Sequence, residues 1–175
     1  MRVLGVDPGS AVTGFGIVEG APGNFHYVAA GTIRSRAGEP MTQRLRNIHA
    51  RLLAIVDEFA PGALSLERNF VARNVQSAFR IGEARAIVML AAAERELPLY
   101  EYPPNTVKLA VAAFGHADKQ QIAYMVRRTL GLGSATELTS DATDALALAV
   151  CHLSRAGLAR LRDKEVRPRA ARQQQ

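Results

Sequence analysis

Two short apolar runs, RVLGVD at 2–7 and ALSLE at 63–67, each end in a carboxylate. Pro8-Gly9 follows the first and Pro61-Gly62 precedes the second, so both read as short buried strands bounded by turns. A charge at the end of a buried strand is costly unless the strand end opens onto a site. In an open α/β sheet, ligands collect beyond the carboxyl ends of the strands, near the point where strand order reverses. If the two runs are neighbours in one sheet, Asp7 and Glu67 emerge there side by side.

The remaining pattern supports such a sheet. Residues 12–19 and 25–33 read as further strands, joined through APGN at 21–24. From Met41 to Phe59, Leu45, Ile48, Leu52, Ile55, Val56 and Phe59 recur at helical spacing, and Pro61-Gly62 ends the helix. A long helix is expected over about 75–97. Its middle, Ala84 to Ala93, is apolar on nearly every side and calls for cover on two faces. The core supplies one cover; the other is either more of the same domain or a partner subunit. A last strand at 98–102 is broken by Pro103-Pro104, with a short helix from Thr106. Further helices are expected over Ala117–Leu130, with Gly131 as C-cap, and over Asp141–Ser154. The order βββαβαβααα implies an α/β fold, a mixed sheet with helices on both faces. The length of 175 residues favours one domain.

Asp141 and Asp144 stand three apart at the start of the last apolar helix and project from one face. Packed across the strand ends, that helix would bring two more carboxylates to Asp7 and Glu67. Four such groups together must take up protons or share hard cations. All-oxygen ligands suit Mg²⁺ or Mn²⁺, and two such ions can drive phosphodiester hydrolysis. Each residue also has a plainer reading: Asp7 as a turn carboxylate, Glu67 as the ion-pair partner of a surface cation, Asp141 as an N-cap after Thr139-Ser140. Asp144 is the hardest to explain otherwise, being the only charged residue between Ala142 and Cys151.

The net charge of +6 is unevenly placed. From Arg155 onward, seven basic residues face only Asp163 and Glu165, leaving +5 on that segment and +1 on the rest. The segment 157–175 therefore reads either as a disordered, solubilising tail or as a nonspecific phosphate contact, beyond a body at 1–156. The lone Cys151 reads as a small buried hydrophobe. One cysteine, no apolar run long enough for a membrane span and no signal-peptide layout together lead us to expect a cytoplasmic protein without membrane contact.

GVDPGSAVTGFG at 5–16, LERNF at 66–70 and DATDALALAV at 141–150 closely resemble the three acidic motifs of the RuvC family of Holliday-junction resolvases. VKLAVAAFGHADK at 107–119 is similar to the family's intervening segment, and the likeness runs over about 1–155. The resemblance implies an RNase H-like fold with a five-stranded mixed sheet flanked by helices. It implies a divalent-metal-dependent endodeoxyribonuclease that resolves four-way DNA junctions by paired symmetric nicks, as a homodimer, in recombination and repair. By position, Asp7, Glu67, Asp141 and Asp144 match the family's catalytic metal ligands, holding two Mg²⁺ (or Mn²⁺) ions per site. Lys108 and Lys119 match basic residues around the site, and Phe70 an aromatic that acts on bases at the crossover. From the charge pattern rather than the resemblance, Arg68 and Arg73 are further candidate DNA contacts that could line a backbone-binding channel with Arg80, Arg85, Lys108 and Lys119, although Arg73, Arg80 and Arg85 fit simple solvent exposure equally well. His116, expected in a loop after Gly115, is a further candidate for contact with substrate. Arg68-Asn69 stands where the best-known members carry Gln-Val, so the family's cleavage-sequence preference need not carry over. The family's partners RuvA and RuvB are expected on the same ground.

Two rivals stand beside this reading. Asp7-x-Gly9 followed by Gly14 also resembles the first phosphate loop of actin-like ATPases, although the chain lacks a second loop or room for a second large domain. A nuclease of the same fold acting on another nucleic acid is the other.

Overall fold

The computed structural model describes residues 1–68, 75–133 and 135–170, the last thirteen of these as backbone only. The strands are β1 (Arg2–Asp7), β2 (Val12–Ala21), β3 (Asn24–Arg34), β4 (Ala63–Glu67) and β5 (Leu99–Tyr102). The helices are α1 (Met41–Phe59), α2 (Val75–Glu94), α3 (Pro104–Ala112), α4 (Lys119–Thr129) and α5 (Ser140–Ala170). One five-stranded sheet runs β3-β2-β1-β4-β5. β1 pairs antiparallel with β2 and β2 with β3, while β1–β4 and β4–β5 are parallel. The mixed α/β architecture expected from the sequence is therefore present.

Alternation along the strands sorts the two faces. Leu4, Val6, Leu64 and Leu66 pack with Ile48, Leu52, Ile55 and Val56 of α1 and with Ala84, Val88 and Ala91 of α2. Val3 and Ala63 lie on the opposite face, in a second cluster with α3, α4 and α5. By the same alternation Gly5, Asp7, Ser65 and Glu67 share this second face.

α5 lies directly on the sheet because that face is floored with small residues. Gly5 pairs with Gly16, and Asp7 with Gly14. A Cβ built on Gly5 would stand 1.9 Å from the Ala145 carbonyl oxygen, and one on Gly14 would stand 2.1 Å from that of Asp141. Both contacts are backbone to backbone, so only glycine permits the approach. Ser65 Oγ then donates to the Leu148 carbonyl at 2.9 Å, tying β4 to the helix. Val107, Val111, Ile122 and Val126 of α3 and α4 cover the helix from the other side. Sandwiched in this way, α5 is buried without interruption from Ala145 to Leu153, including Cys151.

Several boundaries differ from the sequence expectation. α3 starts at Pro104 rather than Thr106, since proline at the first helical position loses no hydrogen bond that a helix would use. α4 begins at Lys119, where Asp118 and Gln121 form a capping box. The hairpin turn narrows to Pro22-Gly23, with Gly23 at φ +80°. α5 continues to Ala170 instead of stopping near Ser154; the run is rich in Ala, Leu, Arg, Lys and Glu, which favour helix. α2 is covered on one side only: Phe79 is 70% exposed, and Met89 and Leu90 are nearly half exposed. Among the described residues, no helix is long and apolar enough to cross a membrane.

Candidate active site

β1 and β4 run parallel with Val6 beside Leu66, so the next residues, Asp7 and Glu67, leave the sheet as neighbours at its carboxyl edge. Gly14, opposite Asp7 on β2, admits the first turn of α5 close to that edge. Asp141 arrives on that turn, and Asp144 follows it on the next. The N-cap role open to Asp141 from sequence belongs to Thr139 instead. Its Oγ1 accepts from the Ala142 amide at 3.3 Å, and its carbonyl accepts from Thr143. Asp141 is thus free of capping. Behind Asp7, buried Thr13 closes the turn by donating to the Gly9 carbonyl at 2.7 Å.

The electrostatics record the crowding. Burial, followed by the charges of Asp144, Glu67 and Asp141, pushes Asp7 up to about 7. Glu67 is raised by burial and by Asp144. Asp144 is raised by burial and, after the opposing effect of Lys119, by Asp141. No described side chain or amide donates a hydrogen bond to the Asp7 carboxylate. Lys119 Nζ lies 3.5 Å from Asp144 Oδ2, and the lysine side chain is largely in solvent. These are four oxygen-donor groups held together against their mutual repulsion with little protein charge to offset it, which suits hard divalent cations. Among the described residues, no three acidic, His or Cys side chains converge tightly enough to form a finished ligand set. The donor chemistry fits such ions, with the carboxylates close but not drawn onto a common point.

A cleft of about 290 Å³ opens beside them, lined by Glu67, Asp144, Lys108, Lys119, Pro104 and Val107, among others. Lys108 of α3 and Lys119 of α4 both act to lower the Glu67 pKa. The structure therefore brings together Asp7, Glu67, Asp141, Asp144, Lys108 and Lys119. Arg68 is exposed at the end of β4, with Nε 3.9 Å from Glu101. Asn69, Phe70 and Arg73 lie outside the described residues. His116 is exposed on the α3–α4 loop, edge-on to Phe114 with ring centroids 5.8 Å apart. Arg85 does not extend into a channel, as the sequence allowed. Its guanidinium pairs with Glu101 and donates to the Glu67 carbonyl, leaving the side chain 19% exposed. Glu101 was not singled out from sequence. A carboxylate inside the short LYEY run is its only signal there.

Known proteins resemble this chain in sequence and in fold. Residues 3–152 match the family model described as crossover junction endodeoxyribonuclease RuvC. The chain is 43% identical over 152 residues to the protein of that name from Chloroflexus aggregans, covering 87% of this chain and 92% of the relative. It is 45% identical over 154 residues to that of Myxococcus xanthus, covering 88% and 81%. The structure of T. thermophilus RuvC in complex with a Holliday junction superposes with a TM-score of 0.86 at 36% identity, over 91% of this chain and 96% of that one. A yeast mitochondrial Holliday junction resolvase shares the fold, at a TM-score of 0.65 and 15% identity over 92% of this chain and 81% of that one.

Proposed function

Since the chain belongs to the RuvC family of crossover junction endodeoxyribonucleases, we propose how its own residues carry out that family's reaction. The protein is a metal-dependent endonuclease that resolves Holliday junctions, and neither the actin-like nor the other-substrate reading is favoured. The observation that carries the assignment of residues is the convergence of Asp7, Glu67, Asp141 and Asp144 at one sheet edge, with Asp7 pushed up to about 7 by burial and its three neighbours. These four carboxylates would hold two Mg²⁺ ions, with Mn²⁺ as a substitute. Held there, such ions would supply the Lewis acidity needed to activate a water and to stabilise the leaving oxygen of a phosphodiester. Lys119, released from Asp144, and Lys108 across the cleft would meet the non-bridging phosphate oxygens. Phe70 is assigned to unstacked bases at the crossover, and Arg68 and Arg73 to the flanking backbone. The nuclease body is assigned to 1–156 and a basic DNA-contacting extension to 157–175.

A four-way junction has near two-fold symmetry, so paired nicks call for two equivalent sites. The exposed apolar face of α2, with Phe79, Met89 and Leu90, is the surface we assign to a homodimer. Phe79→Asp should weaken the dimer about 30-fold or more, read as a shift to monomer in sedimentation, with paired cutting lost. An unchanged dimer would move the interface elsewhere. RuvA and RuvB are proposed as further partners, and the cytoplasm as the setting. The direct test is a synthetic junction incubated with and without Mg²⁺ beside linear duplex and RNA:DNA hybrid. Symmetric, metal-dependent nicks on the junction alone are expected, and preference for another substrate overturns the reading.

The raised carboxylates also set a pH dependence. An acid whose folded pKa lies above its unfolded value keeps a proton in the native state that the unfolded chain has already released. For Asp7 that window runs from its ordinary value near 3.8 to about 7. Metal-free protein should therefore lose stability as pH rises across it and regain none above. Divalent ions compete with those protons, so Mg²⁺ should raise Tm more at pH 8 than at pH 5.5. Melting curves with EDTA or Mg²⁺ check both signs.

A further inference from the structure

The carboxylate edge is braced from the far side of the sheet. Strand alternation puts Leu99 in the α1/α2 cluster, so Glu101, two residues on, faces the same way. Arg85 reaches it from α2, on that same side. One guanidinium nitrogen pairs with the Glu101 carboxylate and another donates to the Glu67 carbonyl. Arg68 Nε approaches the other Glu101 oxygen at 3.9 Å. The Glu67 carbonyl is the last of β4, and the strand's next amide, that of Arg68, already donates to Tyr102. The guanidinium thus donates to the acceptor at the point where the β4 ladder ends.

We propose that Glu101 and Arg85 form a positioning pair that fixes the end of β4, and with it the Glu67 carboxylate, for metal binding. Neither residue touches substrate. Glu101 holds the planar fork in place, and the fork holds the Glu67 main chain. Arg85 also lies on α2, so the brace joins the metal-binding edge to the helix whose outer face is assigned to the second subunit. The inference rests on the metal-nuclease reading above and refines it.

The test uses Glu101→Gln and Arg85→Lys in the full chain, with Glu101→Asp as the conservative partner. Partners that orient metal ligands typically change metal affinity or activity by about 10–100-fold when removed. The Mg²⁺ concentration for half-maximal single-turnover cleavage should rise by about that factor in Glu101→Gln and Arg85→Lys, and Glu101→Asp should recover part of it. Junction affinity measured without divalent ions should stay within about twofold, because a residue acting only on metal binding leaves phosphate contacts intact. A shift in the Mg²⁺ curve at constant junction affinity is not what general destabilisation yields; melting curves and sedimentation on the same samples identify any variant that has merely lost its fold or dimer. Wild-type Mg²⁺ dependence in folded Glu101→Gln overturns the inference, as does a defect confined to junction affinity. Absence of Mg²⁺-dependent cleavage in the unaltered protein would instead count against the metal-nuclease reading itself.

Discussion

Asp7→Asn is expected to abolish Mg²⁺-dependent junction cleavage, by ~10³-fold or more in single-turnover rate, while the junction still binds. The side chain keeps its size, so β1 and its pairing with β2 and β4 have no reason to move. What it loses is the carboxylate on which three others converge electrostatically. The cations proposed to hold the junction, Lys108 and Lys119 among them, are left in place by the change. Stability should move in the opposite direction. The penalty that burial and the charges of Asp144, Glu67 and Asp141 impose on the Asp7 charge vanishes with that charge, so the metal-free variant should melt higher than the parent at pH 8, where the parent carries most of it. Gain of stability with loss of function is the signature of a strained site rather than of a structural acid. Gel shifts without divalent ions, cleavage with them and a melting curve at pH 8 give the three readouts. Substantial cleavage by the variant would remove Asp7 from the metal site.

How far the sequence reaches depends on the range of each interaction. Asp7 and Glu67 were legible because each terminates its own apolar run, a local pattern; their adjacency needed only the guess that the two runs pair, and the parallel β1–β4 register supplies it. Asp144 was legible as a lone charge in an apolar helix. Asp141 was ambiguous because Thr139, Ser140 and Asp141 are all good capping residues, and only the bond from Ala142 to Thr139 selects among them. The pairing of Glu101 with Arg85 had no comparable signal. It depends on β5 joining the sheet beside β4 and on α2 crossing the opposite face, and neither follows from the spacing of the two residues. Arg85 looked like any exposed basic residue for the same reason. The glycine floor lay in plain view as three letters, but Gly5, Gly14 and Gly16 form a patch only once the β1–β2 register is known.

That floor yields the second large effect. Gly14→Ala places a methyl group 2.1 Å from the Asp141 carbonyl oxygen and 2.4 Å from its carbon. Neither atom can swing aside as a side-chain end would, so either β2 bows or the first turn of α5 lifts by more than about 1 Å to reach ordinary contact. β2 is held on both sides by β1 and β3, whereas the first turn of α5 follows residues 135–139, which belong to no strand or helix, so the helix should yield. Its first turn carries Asp141, and Asp144 follows one turn on. Overpacking of this kind costs about 1–3 kcal/mol, which for a chain of this size lowers Tm by roughly 2–9 °C. The catalytic cost should be larger in proportion, because a displacement of about 1 Å in a reacting constellation can reduce the rate ~10²-fold. Gly133→Ala is the matched control, since a Cβ there meets nothing within 4 Å and the backbone needs no left-handed conformation. Melting curves and Mg²⁺ titrations of single-turnover cleavage on both variants separate the two costs. A Gly14→Ala protein that melts lower yet cleaves at the parental rate and Mg²⁺ dependence would mean that β2 moved instead, and that the carboxylates on α5 do not depend on how closely the helix approaches the sheet.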